Sequence, residues 1–343
     1  MKKIKAKLEH FWHVFKRHVL YDVLDGNFAK PAHFVRTAVK HKLFDYPYLA
    51  MVETASFCNL KCPTCTTPHD KIKRPKVAMS LENYKKIIDN VKDSVSVVLP
   101  WFSNDPLVNP RMAEMIKYSH QNNMYTVIST NAVLLDEKRS KELLNSGLDE
   151  AILCLDGMSK ESYEVFREGA VFEEVLENIK NFCRLKKESG RRKPYVELQF
   201  ILTKFNQGEV EDVKRLAKEL GVDRLRIKSF ALSEYAYSKE EIKELSEKFL
   251  PDDPRYASKI RYEKKGGDLA VKNRKKFCEL PSSNIVALAD GRLAMCCYDI
   301  NGQYIYGNVL EKPLREFWHL PEVRSKRKKA GRRGYPLCEK CAN

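Results

Sequence analysis

The sequence predicts an α/β protein: a partial (β/α)6 barrel with a helical N-terminal extension and a small cysteine-rich C-terminal domain. Three observations predict it. From Tyr48 onward, short apolar runs alternate with helix-period stripes, the pattern of a parallel sheet with crossover helices. Six such alternations end near residue 230, which suggests a barrel that does not close. Most cysteines gather in two sets, one just after the first strand run and one near the C-terminus.

The 343 residues leave room for one large domain with extensions or for two domains, and a 43% hydrophobic composition can bury a sizeable core. No run of about 18 uninterrupted apolar residues occurs, so no bilayer-spanning helix is expected. Lys, Glu, His and Arg interrupt the N-terminal apolar residues, so no secretory signal is read. Clustered cysteines without such a signal read as ligands in a reducing cytoplasm. Lys and Arg outnumber Asp and Glu by 62 to 46, and the formal charge of +16 favours a polyanionic surface or substrate.

Residues 1–20 read as a basic amphipathic helix, with Ile4, Leu8, Phe11, Trp12, Phe15 and Val19 on one face. After Pro31, Phe34, Val35, Ala38 and Val39 alternate with Arg36, Lys40 and Lys42. Two readings stand. Such segments suit an anionic membrane interface, which would place the protein peripherally on the inner face of the membrane. They equally suit docking on the catalytic domain, since amphipathicity does not name its partner.

Strands are expected near 48–54, 95–100, 125–130, 150–155, 195–203 and 224–228. Helices fall between them. Ser80 is placed to cap one that carries Leu81, Tyr84, Ile87, Ile88 and Val91, and a later stripe holds Phe172, Val175, Leu176, Ile179, Phe182 and Cys183. In such a TIM-like arrangement the C-terminal strand ends line the active site.

After the first strand comes Cys58-Asn-Leu-Lys-Cys62-Pro-Thr-Cys65. Three thiolates at this spacing suit three corners of a four-iron, four-sulfur (4Fe-4S) cluster and leave the fourth iron open to a small molecule. Zinc is the alternative, with His69 completing a Cys3His set.

With its strand and helix alternations, this stretch resembles the radical S-adenosylmethionine (radical SAM) superfamily. The resemblance implies that S-adenosyl-L-methionine chelates the open iron and is cleaved reductively to a deoxyadenosyl radical, which abstracts hydrogen from substrate. Further motifs follow in the family's order. Ser103-Asn104-Asp105-Pro106 resembles the Gly-Glu-Pro segment that holds the SAM amino group, with Asn104 and Asp105 replacing Gly and Glu. Ser129-Thr130-Asn131 resembles Thr-Asn-Gly, with Ala132 in place of the Gly. Cys154-Leu155-Asp156-Gly157 is similar to a Ser-Leu-Asp-Gly segment that contacts the SAM ribose and carboxylate. Arg167 matches the Arg of Tyr-x-x-Ile-Arg, whose planar fork pairs with the methionine carboxylate. Asn104, Asp105, Ser129, Asn131, Asp156 and Arg167 are thus the expected cofactor contacts. Cys154 reads either as a hydrogen donor to a substrate radical or as a buried structural thiol. Thr64 stands where the family often carries an aromatic residue against adenine.

Residues 231–275 read as a linker and helical region between a barrel over 48–230 and a C-terminal domain over 276–343, with 1–47 as the extension. Cys278, Gly291-x4-Cys296, Cys297 and the terminal Cys338-x-x-Cys341 resemble the SPASM or "twitch" extension of radical SAM enzymes. One auxiliary 4Fe-4S cluster is expected on Cys278, Cys296, Cys338 and Cys341. Cys297 either replaces Cys296 or lies nearby as a free thiol, and zinc is again the alternative metal. The run Arg324 to Arg333, seven basic residues in ten, reads as a solvated face or as a phosphate-attracting flank of the substrate entrance.

Three functions are weighed. The first is a radical SAM enzyme acting on a membrane lipid or another amphiphilic, phosphate-bearing substrate, by carbon-carbon bond formation or oxidation. The second is a radical SAM dehydrogenase or a peptide- or sugar-modifying enzyme, although the extension lacks the length and strand pattern of a leader-peptide recognition domain. The third, a nucleic-acid-binding zinc protein, leaves the ordered strand-end motifs unexplained. Either radical SAM reading calls for an electron donor such as ferredoxin or flavodoxin.

Overall fold

The computed structural model describes residues 19–232, 236–265, 268–272, 274–339 and 341. The amphipathic reading of residues 1–20 falls, through residue 18, outside them. Six parallel strands, β1 (Leu49–Val52), β2 (Val97–Leu99), β3 (Tyr125–Thr130), β4 (Glu150–Cys154), β5 (Tyr195–Leu202) and β6 (Arg224–Ser229), lie side by side in sequence order. Each pairs in register with the next, as Ile128 with Ala151 and Ala151 with Val196 show.

Both faces of β1 to β5 are covered, which is why they read as largely apolar runs, whereas β6, at the sheet edge, alternates Leu225 and Ile227 with Arg224, Arg226 and Lys228. On β5, Val196, Leu198, Phe200 and Leu202 join the core under the helices. Glu197 and Gln199 alternate with them and point to the barrel interior, as the period of two requires. Crossover helices such as Leu81–Val91 and Phe172–Glu188 pack their apolar stripes on the outside. The Ser80 hydroxyl caps the former, accepting from the Asn83 amide at 3.1 Å.

Beyond β6, the helix Lys239–Phe249 and the hairpin of β7 (Tyr262–Lys265) and β8 (Asp268–Val271) share a small core of Phe166, Phe230, Leu232, Phe249 and Tyr262. The C-terminal domain then extends the main sheet. Strand β9 (Asn284–Ala287) pairs in parallel with β1, followed antiparallel by β10 (Arg292–Ala294) and β11 (Ile305–Asn308), giving a nine-stranded sheet. The β1 edge, which an open barrel would leave unpaired, is therefore covered.

The helix Ala29–Phe44 docks under the barrel through its polar face. Lys30, 2% exposed, donates 2.6 Å hydrogen bonds to both carboxylate oxygens of Asp149. Lys193 reaches Asp149 at 2.7 Å and Asp22 at 2.6 Å. Asp45, at φ +56° beyond the helix end, accepts 2.7 and 2.8 Å bonds from Trp318 Nε1 and Arg327 Nη1 of the C-terminal domain. Val35, Val39, Leu43 and Phe44 of that helix face outward. No helix of the described residues is long and apolar enough to cross a membrane.

Candidate active site

The C-terminal ends of β1 to β6 open into one cavity of about 530 Å³. Cys58, Cys62 and Cys65 line it from the loop after β1. Asn131 Nδ2 steadies that loop by donating to Asn59 Oδ1 at 2.9 Å, and Tyr237 Oη donates to the Cys65 carbonyl at 2.9 Å. Burial pushes the Cys58 thiol up to about 11 and also raises Cys62, so both are protonated at neutral pH without a metal. Metal binding there must displace protons.

Asn104, Asp105, Ser129, Asn131, Cys154 and Arg167 line the same cavity, so the strand-end motifs converge as one group. Their roles differ. The Asp105 carboxylate is consumed within the protein, accepting from the amides of Leu107 (2.9 Å) and Asn131 (2.6 Å) and from the Thr130 hydroxyl. It ties the end of β2 to the end of β3. Asp156 is fully buried and is not part of the cavity wall: one oxygen accepts from the Ile201 amide at 2.5 Å and the other from Arg167 Nε at 2.6 Å. Arg167 in turn points Nη1 at Cys62 Sγ, 3.7 Å away. Asp156 thus orients Arg167 where the sequence suggested a direct cofactor contact.

Ala132, at the family's Gly position, has φ +61°. The chain therefore keeps the left-handed turn and accepts a strain of about 1 kcal/mol for a non-glycine residue. Cys154 is 5% exposed at the end of β4, receives a 3.3 Å hydrogen bond from Gln199 Nε2, and is pushed by burial up to about 11. It is a thiol, not a thiolate, at neutral pH.

Several wall residues escaped the sequence reading. Trp101 and Phe102 supply aromatic surface that Thr64 does not, and Trp101 Nε1 is a buried donor without a partner. Arg226 and Lys228 project from β6, with Arg226 2.9 Å from Glu197. Behind the loop, Glu53 is fully buried and takes a bidentate bond from Arg74 at 2.7 and 2.8 Å.

The second cysteine set converges as well. Cys278, Cys296, Cys297, Cys338 and Cys341 line one small apolar pocket with Met295 and Leu337. Burial raises the thiols of Cys296, Cys297 and Cys338. Cys297 also lines the barrel cavity, so it stands between the two cysteine sites. The basic run 324–333 does not reach the cavity wall; Ala330 and Arg333 belong to the wall of the second pocket.

The donor sets fit iron–sulfur clusters better than zinc. His69, the expected fourth zinc ligand, instead makes a 3.0 Å hydrogen bond with the Cys62 carbonyl. Soft thiolates spaced around a cavity suit the larger cluster.

Comparison with known proteins agrees. The radical SAM superfamily model matches residues 52–217, and the SPASM iron–sulfur cluster-binding domain model matches 278–342. A tungsten-containing aldehyde ferredoxin oxidoreductase cofactor-modifying protein of Pyrococcus furiosus is 22% identical over 87% of each chain. A PqqA peptide cyclase of Granulibacter bethesdensis is 25% identical over 53% of this chain, which spans 46% of that relative. Among solved structures, Streptococcus suis SuiB bound to S-adenosylmethionine superposes with a TM-score of 0.59 at 16% identity, over 99% of this chain and 82% of SuiB. BtrN in complex with AdoMet and 2-DOIA gives 0.52 at 19% identity, over 87% of this chain and 93% of BtrN. The first matched domain implies S-adenosylmethionine with a 4Fe-4S cluster, and the second implies auxiliary iron–sulfur clusters. The chain belongs to the radical SAM superfamily and carries a C-terminal SPASM domain.

Proposed function

We propose that this enzyme abstracts a hydrogen atom from an unactivated carbon of a peptide and completes the modification beside its auxiliary cysteine site. One observation carries the reading: a single cavity has the three loop thiols in one part of its wall and Cys297 of the auxiliary set in another. A substrate held there touches both. The peptide class rests on the relatives, among them a peptide cyclase and a SuiB structure bound to its precursor peptide SuiA.

When bound on Cys58, Cys62 and Cys65, the cluster and S-adenosylmethionine supply the deoxyadenosyl radical. The chain's own residues do the rest. Arg167 presents its guanidinium to the cofactor carboxylate, held in place by Asp156. Ser129 offers its hydroxyl and Trp101 its indole face to the cofactor, while the Asn104 and Asn131 side chains, bonded to Phe102, Thr54, Asn59 and Val133, shape the cavity around it. Asp105 holds two strand ends in register. Cys278, Cys296, Cys338 and Cys341 hold one auxiliary cluster, with Cys297 at the window between the sites. A ferredoxin or flavodoxin supplies the electron.

A cofactor is the second substrate class, favoured by the 87% mutual coverage with the cofactor-modifying relative. The lipid reading has less support, because the relatives named above modify a peptide or a cofactor.

The test is anaerobic reconstitution with dithionite, S-adenosylmethionine and an extract of source cells grown in heavy water, split into protease-sensitive and protease-resistant pools. Wild type should form 5′-deoxyadenosine, and deuterium should enter it only from the sensitive pool. Deuterium from the resistant pool alone would transfer the assignment to a cofactor. Cleavage retained in the Cys58→Ala, Cys62→Ala and Cys65→Ala variants would overturn the radical chemistry.

A further inference from the structure

The basic run near the C-terminus sorts into two groups once folded. On the helix Pro321–Gly331, Val323, Arg327 and Ala330 face inward. Arg327 is 2% exposed, lies 4.1 Å over the Trp318 ring and bonds Asp45, so it is structural. Arg324, Lys328 and Arg332 recur every four residues on the outer face, all exposed, and form no ion pair among the described residues. At about 1.5 Å rise per residue their charges repeat every ~6 Å. His319 and Lys329 line the same surface groove, of about 640 Å³. Glu322, in the first turn, is the helix's one acidic residue.

The inner side of this helix closes the auxiliary cysteine pocket. Ala330 lines that pocket with Cys338 and Cys341, and the Gly331 carbonyl accepts a 2.8 Å bond from the Cys278 amide. The outer face is thus separated from the cysteines by about one helix diameter, ~10 Å. It lies away from the substrate cavity, whose wall holds no residue of this helix.

We propose that the face formed by Arg324, Lys328 and Arg332 docks a small acidic one-electron carrier protein of the ferredoxin or flavodoxin type. The inference rests on the radical SAM reading, which needs such a donor. Uncompensated positive charge in a row steers an acidic partner and sets its register. Its position shortens the path from the donor's redox centre to the auxiliary cysteine site. On transfer the carrier is oxidised by one electron, the enzyme is reduced by one, and no bond is made or broken.

The test compares the reconstituted wild-type enzyme with the triple variant R324E/K328E/R332E, and with a control K180E/K187E/K214E that reverses three exposed charges on barrel helices. Calorimetric titration with oxidised ferredoxin and with oxidised flavodoxin at low salt reads binding without turnover. Wild type should bind at least one carrier. The triple variant should weaken that Kd by about tenfold or more and lose most of its salt dependence, while the control stays within about twofold. Dithionite-driven S-adenosylmethionine cleavage should persist in all three proteins. Its absence from wild type would instead remove the radical reading itself. Unchanged carrier binding by the triple variant, equal weakening by the control, or no carrier binding by wild type would overturn the docking site. So would a short single-stranded RNA that binds wild type more tightly than either carrier and is lost in the triple variant.

Discussion

Arg167 keeps its place beside Cys62 because Asp156, fully buried, sits on its other side. Replacing Asp156 with Asn preserves the shape and can keep the bond to the Ile201 amide, but it leaves a buried guanidinium without its counter-charge. Breaking a buried pair from one side costs about 3 kcal/mol or more. Urea unfolding of the metal-free D156N protein should show a loss of that size, and a loss under ~1 kcal/mol would mean that Arg167 finds other partners. Cys154 gives a second prediction at this scale. Its protonated thiol lines the cavity and can pass a hydrogen atom to a substrate radical, the resulting thiyl being restored by one electron and one proton from the donor and solvent. Because S–H protons exchange with water, wild type run in heavy water should place deuterium in the product. Cys154→Ala should still cleave S-adenosylmethionine but yield product without solvent deuterium. Deuterium retained in the variant's product would reduce Cys154 to a packing role.

The helix Ala29–Phe44 shows what an element can conceal. Its alternation of Val35, Ala38 and Val39 with basic residues is visible in the sequence, and either a membrane or a protein partner would explain it. Lys30 decides which face is used, and a lysine is almost never fully buried without a partner. That partner, Asp149, lies 119 residues away, so no local pattern announces the pair. The barrel strands were legible for the opposite reason: burial on both faces writes apolar runs into β1 to β5, and β6 alternates apolar with basic residues at a period of two. Strands β9 to β11 are as short as β1 and β2 but stand outside the strand–helix alternation, and the pairing of Leu49 with Asn284 that joins β9 to β1 has no local pattern to announce it. The Lys30 pair can be tested through pH. Burial alone would raise the Asp149 carboxyl, but Lys30 and Lys193 outweigh it and hold it below its ordinary value. A folded-state pKa below the unfolded one stabilises above the unfolded value, about 3.9, and the benefit is lost as pH falls through the folded value. Hydrogen-exchange protection of residues 29–44 should therefore hold from pH 7 to about 4 and fall below that. Asp149→Asn should flatten this acid dependence, and Lys30→Met should lower stability by about 2 kcal/mol at neutral pH. Equal acid dependence in wild type and D149N would place the titrating group elsewhere.

Across the whole molecule, the strand-end motifs could be read because each sits at a strand terminus in the family's order, whereas the arrangement of the two cysteine sites depends on residues with no motif at all. Glu53 follows β1 directly, fully buried, and its carboxylate gathers four groups: both ends of the Arg74 fork, the Ser103 hydroxyl at 2.6 Å and the Ala289 amide at 3.0 Å. Arg74 Nε also donates to the Ile300 carbonyl at 2.8 Å. One ion pair thus joins the strand before the Cys58 loop, the segment after it, the end of β2 and the two stretches of the C-terminal domain that flank Cys296 and Cys297. No charge pattern could reveal this, because Glu53 lies beside an apolar strand and Arg74 in a basic loop that looks solvated. Replacing Arg74 with Met removes the buried counter-charge of Glu53 and should cost about 3–5 kcal/mol. Glu53→Gln should cost less, since an amide can still serve Ser103 and Ala289. Hydrogen exchange in R74M should quicken over residues 284–308 while β4 and β5 keep their protection. If the ion pair sets the spacing of the two cysteine sites, the reconstituted variant should still cleave S-adenosylmethionine, with 5′-deoxyadenosine released out of proportion to modified substrate. Tight coupling in R74M despite faster exchange would show that the β1–β9 pairing alone holds the two sites together.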